Sequence, residues 1–311
     1  MRLRDEKVAL VRDSGETFYC LFLQAQADKR PKVLLRPEDL VLGKSSIEVP
    51  SWILPKPPPR KPNEKLHPAK YPETLITEFI ELFSSPGDWV LDPMVGTGST
   101  VLAALRSARN GLGIELNPDF AEIARDRLQP ELEPTLFSEE GMGLKGIIVT
   151  GDASELDRIP ELLDLRFRYA VTSPPYWSML TNPGSENQRA RRQDGLPLVY
   201  SQDNKDVGNI SDYDEFLELL KRIYSLVALV LEDDGLLTVV VKNVKREHVV
   251  YPLAWDLVRI LCSEDGPYEY IDTTLWCQDD VGLKPFAVGI HWVSNTLHNY
   301  CLHFAKRRLS R

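Results

Sequence analysis

The chain has 311 residues, 43% of them hydrophobic and 27% charged, with a formal net charge of −9 at pH 7. That length and apolar content suffice for one large buried core. No apolar stretch approaches the roughly eighteen residues of a membrane span, and the opening MRLRDEKVAL lacks a signal-peptide core, so the cytoplasm is the expected compartment.

In chain order, Val8-Ala9-Leu10-Val11, a turn at Asp13-Ser14-Gly15-Glu16 and Thr17-Phe18-Tyr19-Cys20-Leu21-Phe22 read as a β-hairpin, and Val33-Leu34-Leu35 offers a further strand. Residues 55–62 hold five prolines and read as a stiff linker or a surface strap. The expected organisation is a small β-rich element over residues 1–54, a linker over 55–66 and one large α/β domain over 67–311. Within that domain, Asp88-Trp89-Val90-Leu91-Asp92-Pro93 is an apolar strand with an acidic end. The glycine-rich turn Met94-Val95-Gly96-Thr97-Gly98-Ser99-Thr100 follows, and Val101-Leu102-Ala103-Ala104-Leu105 continues as a helix.

Strand, glycine turn and helix in this order open a Rossmann-type unit, in which glycines let the backbone approach a ligand closely. Only Gly96-Thr97-Gly98 is present in place of a full GxGxxG, and a carboxylate at Asp92 repels a pyrophosphate but attracts a cation. The second strand, Gly111-Leu112-Gly113-Ile114-Glu115-Leu116, ends in an acid placed to grip a ribose diol. A ligand with a ribose, most simply an adenosine, and with positive charge instead of phosphates satisfies both acids. S-adenosylmethionine meets that description; NAD and ATP fit poorly.

A helix is expected from the Asn117-Pro118 boundary through Ala121, Ile123, Ala124 and Leu128, then a loop over 129–141. Gly146-Ile147-Ile148-Val149-Thr150 is the third strand and leads into Asp152, residues 155–165 read as helical, and Tyr169-Ala170-Val171-Thr172 is the fourth strand. That strand runs into Ser173-Pro174-Pro175-Tyr176, followed by Trp177. Two consecutive prolines remove two backbone donors and fix two φ angles, so the carbonyls of Ser173 and Pro174 are held with no competing N–H beside them. A planar amino group is the natural guest, with Tyr176 a flat face for a ring to stack on. The same tetrapeptide also reads as a plain Pro-Pro turn.

Residues 178–209 show no sustained period and are too long for a simple connector. Asp212 opens a helix with Phe216, Leu219, Leu220, Ile223, Leu226, Val227 and Val230 at helical spacing; the fifth strand covers 235–241, a helix 252–261, and two further strands 268–277 and 299–305. His291, His298 and His303 read as structural histidines, and Trp276 and Trp292 as core residues or base wedges. Trp177 is open between core packing and a wall of the ring pocket. The four cysteines, Cys20, Cys262, Cys277 and Cys301, show neither CxxC nor Cys/His metal spacing and read as free thiols, with no metal expected.

With these motifs in this order, residues 67–306 resemble the amino-methylating DNA methyltransferases, which place a methyl group from S-adenosylmethionine on N4 of cytosine or N6 of adenine. Asp92-Pro93-Met94-Val95-Gly96-Thr97-Gly98 is similar to that family's cofactor loop, and Glu115, with Leu116 beside it, to its ribose-binding acid. Gly151-Asp152-Ala153 matches the turn that meets the adenine, and the segment from His67 through Lys70, Tyr71 and Pro72 to Glu73 the part packed on the methionine. Ser173-Pro174-Pro175-Tyr176 corresponds to the catalytic tetrapeptide. The resemblance implies a Rossmann-like class I methyltransferase fold, a seven-stranded mostly parallel sheet whose last strand is antiparallel, beside the small N-terminal β element.

Methylation at carbon 5 of cytosine is excluded, because it needs a thiolate presented in a Pro-Cys pair and no cysteine here follows a proline. In the resembling family adenine enzymes mostly carry Asp at the first tetrapeptide position and cytosine-N4 enzymes mostly Ser. Ser173 therefore points to N4 of a flipped-out cytosine, with N6-adenine as the alternative and RNA bases or protein amides as more distant ones. The expected partner is double-stranded DNA with a short recognition site. Target recognition is expected to come from the N-terminal element, the loop over 178–209, the loop over 279–297 or another subunit, as a homodimer or a separate specificity partner. The net charge of −9 is at odds with DNA binding taken globally, but basic residues cluster locally. These clusters are Lys56, Arg60, Lys61 and Lys65; Arg189, Arg191 and Arg192; Lys242, Lys245 and Arg246; and Lys306, Arg307, Arg308 and Arg311.

Overall fold

The computed structural model describes residues 71–132, 143–175, 177, 206–246, 249–277 and 296–308 with their side chains, and the backbone of 7–13, 16–22, 52–53, 285–287 and 293–294. The chain divides into two compact units, Met1–Ile47 and Glu48–Arg311. In the first, β1 (Lys7–Asp13) and β2 (Glu16–Phe22) pair antiparallel with Asp13 opposite Glu16, the hairpin expected from the alternating apolar runs.

The second unit is built on one sheet. Its elements in chain order are β3 (Trp52–Ile53), α1 (Glu73–Phe83), β4 (Trp89–Asp92), α2 (Ser99–Arg106), β5 (Asn110–Glu115), α3 (Pro118–Leu132), β6 (Gly146–Thr150) and β7 (Phe167–Thr172). There follow α4 (Tyr213–Val230), β8 (Leu231–Val241), β9 (Val244–Arg246), β10 (Val249–Tyr251), α5 (Leu253–Leu261), β11 (Tyr268–Cys277), β12 (Pro285–Ala287), β13 (Val293–Ser294) and β14 (His298–Lys306). The strand order is β3-β11-β14-β8-β7-β4-β5-β6. Strands β6, β5, β4, β7 and β8 run parallel, while β14 lies antiparallel between β8 and β11. This is the expected seven-stranded arrangement, and the two-residue β3 adds an unforeseen eighth strand parallel to β11. β9 with β10 and β12 with β13 are separate two-stranded ribbons.

The period-2 alternation of a strand assigns its two faces. On β8, Leu237, Val239 and Val241 join Phe216, Leu220, Tyr224, Leu253 and Leu257 of α4 and α5 in the main core. The intervening Thr238 takes part in a polar chain on the other face. Tyr169 Oη donates to Thr238 Oγ1 at 2.7 Å, which lies 2.9 Å from His303 Nδ1, and His303 Nε2 lies 3.0 Å from Thr274 Oγ1. The chain crosses β7, β8, β14 and β11, and the rings of Phe79 and Phe83 of α1 pack against His303. Burial holds the His303 imidazole neutral, its pKa pushed down to about 3. This is the structural histidine that its apolar neighbours in the sequence suggest.

Three expectations shift. Residues 155–165 are two short 3₁₀ stretches, Ala153–Arg158 and Pro160–Leu162, because Ile159 is held extended before Pro160, which brings no N–H of its own. The third helix continues to Leu132 with Pro130 inside it, where a loop was expected from residue 129. On α4 the buried face is Phe216, Leu217, Leu220, Ile223, Tyr224, Val227 and Ala228. Leu219, Leu226 and Val230 are only partly buried at its margin. Asp212 does open that helix, its carboxylate accepting from Asp214 N and Glu215 N, both at 2.9 Å.

Candidate functional site: the carboxyl edge of the parallel strands

β4 delivers Asp92 to the carboxyl edge of the sheet, where its side chain is wholly buried. Asp92 Oδ2 accepts from Tyr71 Oη at 2.7 Å and from Thr100 Oγ1 at 2.5 Å, and Oδ1 accepts from Met94 N at 3.0 Å. Burial raises its pKa and these bonds work against the rise. Asp92 is therefore an internal tie joining the segment before α1, the glycine loop and the first turn of α2, and it presents no bare carboxylate at the strand end.

The loop that follows needs its glycines. Gly98 sits at φ +85° at the start of α2, and a Cβ there would lie 2.9 Å from Ala124 Cβ on α3. Gly113 on β5 lets the loop settle onto the strand, since a Cβ there would come within 2.6 Å of Val95. Gly96, at φ +56°, turns its N–H toward the neighbouring strand. Gly96 N donates to Glu115 Oε2 at 2.9 Å, and Asn117 N donates to Glu115 Oε1 at 2.8 Å. Glu115 thus joins the glycine loop to the end of β5, and each carboxylate oxygen keeps a lone pair beyond its backbone donor. Burial, aided by the negative charges of Asp206 and Asp92, pushes its pKa up to about 7.

Gly151 N donates to the carbonyl of Glu115 at 3.0 Å, which fixes the end of β6 beside it. Asp152 then accepts from Ser154 N at 2.8 Å and Ala153 is buried. Pro72 accepts from Leu75 N and Ile76 N with its carbonyl and so starts α1. Pro93 and Thr97 are buried within the loop and Met94 packs against the main core; Leu116 is half-buried beside Glu115. Lys70 and Tyr176 lie outside the described residues, as do the basic groups at residues 56–65 and 189–192, Arg311, His291 and Trp292.

β7 pairs directly with β4, Val90 opposite Tyr169 and Leu91 opposite Ala170, so Ser173 leaves the sheet next to the glycine loop. Pro174 is buried, and Ser173 and Pro175 are half-buried. Trp177 is 2% exposed and belongs to the main core. Its ring meets those of Tyr251 at 4.6 Å and Tyr213 at 5.0 Å, with the Arg246 guanidinium over its face at 5.1 Å. Trp177 is thus packed by the β9–β10 ribbon and α4. Asn243 caps α5, its Oδ1 accepting from Ala254 N at 3.1 Å.

Four contributors were invisible to motif reading. Tyr71 and Thr100 lie inside the matched segments, but their bonds to Asp92 have no sequence signal, and Asp206 lies at the end of an aperiodic stretch. Arg127 of α3 donates to the Thr97 carbonyl of the glycine loop and pairs with Glu73 of α1. Its position on a helix face gives no signal. Near the C-terminus, Lys306 Nζ bonds the Leu231 carbonyl at 2.7 Å, and Arg307 bonds the carbonyls of Ser263, Glu264 and Tyr268. Those two charges secure the fold.

Residues 24–126 match the sequence model of a family described as DNA methylase. The chain is 39% identical over 71 residues to the type II methyltransferase M.MthZI of Methanothermobacter thermautotrophicus, covering 23% of this chain and 20% of that protein. It is 41% identical over 69 residues to M.HpaI of Haemophilus parainfluenzae, 22% of each. It is also 33% identical over 96 residues to the DNA adenine methyltransferase YhdJ of Escherichia coli, 31% of this chain and 32% of that one. The matched stretches thus span less than a third of these relatives. Among solved structures, TrmN from Thermus thermophilus superposes with a TM-score of 0.44 at 12% identity, covering 76% of this chain and 49% of that one. A putative rRNA methylase from Clostridium thermocellum does so with 0.45 at 14%, covering 75% and 96%. Over residues 24–126, which carry the Asp92 loop and Glu115, the chain is thus similar to DNA methylases of the amino-methylating type.

Proposed function

We propose that the protein transfers a methyl group from S-adenosylmethionine to an exocyclic amine of a DNA base, the N4 amine of cytosine. The observation that carries this reading is the pairing of β7 with β4, which sets Ser173 and Pro174 next to the Asp92–Gly98 loop at the switch point of the sheet.

The residues present suit the cofactor. Gly96 turns the loop at φ +56° without a side chain, and Glu115 offers oxygen lone pairs to a ribose diol. Asp152 and Ala153, held beside Glu115, suit the adenine amino group and ring. The combined field of Asp92, Glu115 and Asp206 favours a cation over a pyrophosphate. When bound, S-adenosylmethionine supplies an electrophilic methyl carbon whose bond to sulfur breaks as the amine nitrogen attacks, leaving a neutral thioether.

Ser173 Oγ and the Pro174 carbonyl hold the amine protons and turn its lone pair out of conjugation. Tyr176 stacks on the extruded base. The attacking nitrogen sheds its proton to solvent after transfer, so positioning supplies most of the rate and no strong base is needed. The choice of cytosine rests on Ser173, since adenine enzymes of the resembling family mostly carry Asp at that position and cytosine-N4 enzymes mostly Ser. Transfer of labelled methyl from S-adenosylmethionine to duplex DNA, followed by nucleoside chromatography, tests both levels of the reading. Label in N4-methylcytosine is expected, label in N6-methyladenine overturns the choice of base, and label in RNA or protein alone overturns the substrate class.

Glu115 gives this reading a pH signature. A carboxyl raised from 4.5 to about 7 keeps its proton in the folded chain after the unfolded chain has lost it, so its contribution to stability falls as pH rises through that window. A ribose diol donates best to the ionised form. Cofactor affinity is therefore expected to rise by up to about tenfold per pH unit below 7 and to level off above it. Glu115→Gln flattens the profile in a calorimetric titration between pH 5.5 and 8.5; a pH-dependent profile that survives the substitution assigns the titration elsewhere.

A further inference from the structure

Beside the site, the same edge of the sheet gathers bases from two separate parts of the chain. Lys242 follows the last residue of β8, and Lys245 and Arg246 lie on β9. His298 opens the antiparallel β14, whose Tyr300 pairs with Val241, so its first residues reach the edge at which β8 ends. All four side chains are half-buried. Burial lowers the pKa of His298, and the nearby charges of Lys242 and Lys245 lower it further.

The cluster is also mechanically joined to the tetrapeptide. Arg246 lies over the ring of Trp177 and Tyr251 packs on that ring's edge, so the β9–β10 ribbon grips the chain just after Ser173-Pro174-Pro175-Tyr176. On β10, Val249 and Val250 are exposed, as is Trp255 at the start of α5. A ribbon with lysines at its base and exposed apolar side chains beside them meets the two chemistries of a nucleic acid strand, phosphate and sugar or base edge.

We propose that the edge formed by Lys242, Lys245 and His298, with the β9–β10 ribbon, binds the phosphodiester backbone of the DNA strand that carries the target base. This rests on DNA being the substrate. Arg246 then has a second part, since a strand seated on the ribbon is in mechanical contact, through Trp177, with the turn that receives the base.

The test is fluorescence anisotropy of a labelled duplex against sodium chloride concentration, for the full chain, for Lys242→Gln/Lys245→Gln, and for Lys245→Gln alone. The single variant stands in if the half-buried Lys242 proves necessary for folding. The slope of log affinity against log salt is expected to become shallower by about 0.9 for each phosphate no longer neutralised, with the cofactor dissociation constant unchanged. An unchanged slope in a folded Lys245→Gln variant overturns the proposal. Labelled methyl transfer by the same preparations separates the two levels. Label entering DNA with an unchanged slope sinks the basic edge alone, whereas no label entering DNA sinks the assigned function.

Discussion

Replacing Asp92 by alanine lowers the melting temperature by roughly 10 °C and leaves the protein without measurable cofactor binding. The carboxylate is wholly buried and accepts from Tyr71 Oη, Thr100 Oγ1 and Met94 N. Its removal orphans buried donors in a cavity, at a cost of about 3 kcal/mol, which for a domain of this size is a shift of roughly 6–12 °C. Tyr71 and Thr100 already lie 2.5 Å apart and can satisfy each other, so the loss falls chiefly on Met94 N and on the glycine loop. Thermal unfolding and a cofactor titration check this together. A variant that melts like the parent but binds cofactor weakly would mean that Asp92 meets the ligand directly and does not act through the loop.

The second large effect belongs to Ser173. Ser173→Ala is expected to lower kcat by about 10²–10³, the usual cost of deleting one oriented hydrogen-bonding group at a reacting centre, with the cofactor dissociation constant unchanged. Single-turnover methyl transfer measures the first and equilibrium titration the second. Asp92 and Ser173 leave neighbouring strands at the same edge, yet their substitutions are expected to separate into a folding and binding phenotype and a purely kinetic one. If Ser173→Ala loses cofactor binding in step with turnover, the division between the two halves of the site is wrong.

Much of this was legible in the sequence because strands β6 and β11 are apolar or β-branched runs bounded by glycine, proline or polar turns, and their ends coincide with expectation. The glycine loop was legible because its backbone has no substitute at φ +85°. The role of Asp92 was not. An acid at a strand end looks the same whether it faces a ligand or a tyrosine, and its partners stand 21 residues before it and 8 after it. Trp177 likewise could not be placed, since what buries it is the ribbon around Arg246 and Tyr251, adjacent only in space. Arg127 carries no sequence signal at all, because a helix arginine that reaches a loop carbonyl resembles any solvated one.

The position of β14 has a kinetic consequence. Among the described residues, β11 and β3 are attached to the sheet only through it, and β8 keeps one open edge until it arrives. Residues 298–306 are thus a keystone whose insertion pairs strands far apart in sequence, the kind of non-local step that slows folding. Until it is in place, the apolar edge of β8 is exposed to pairing with other chains, so the misfolding hazard of this protein is concentrated in the interval before β14 docks.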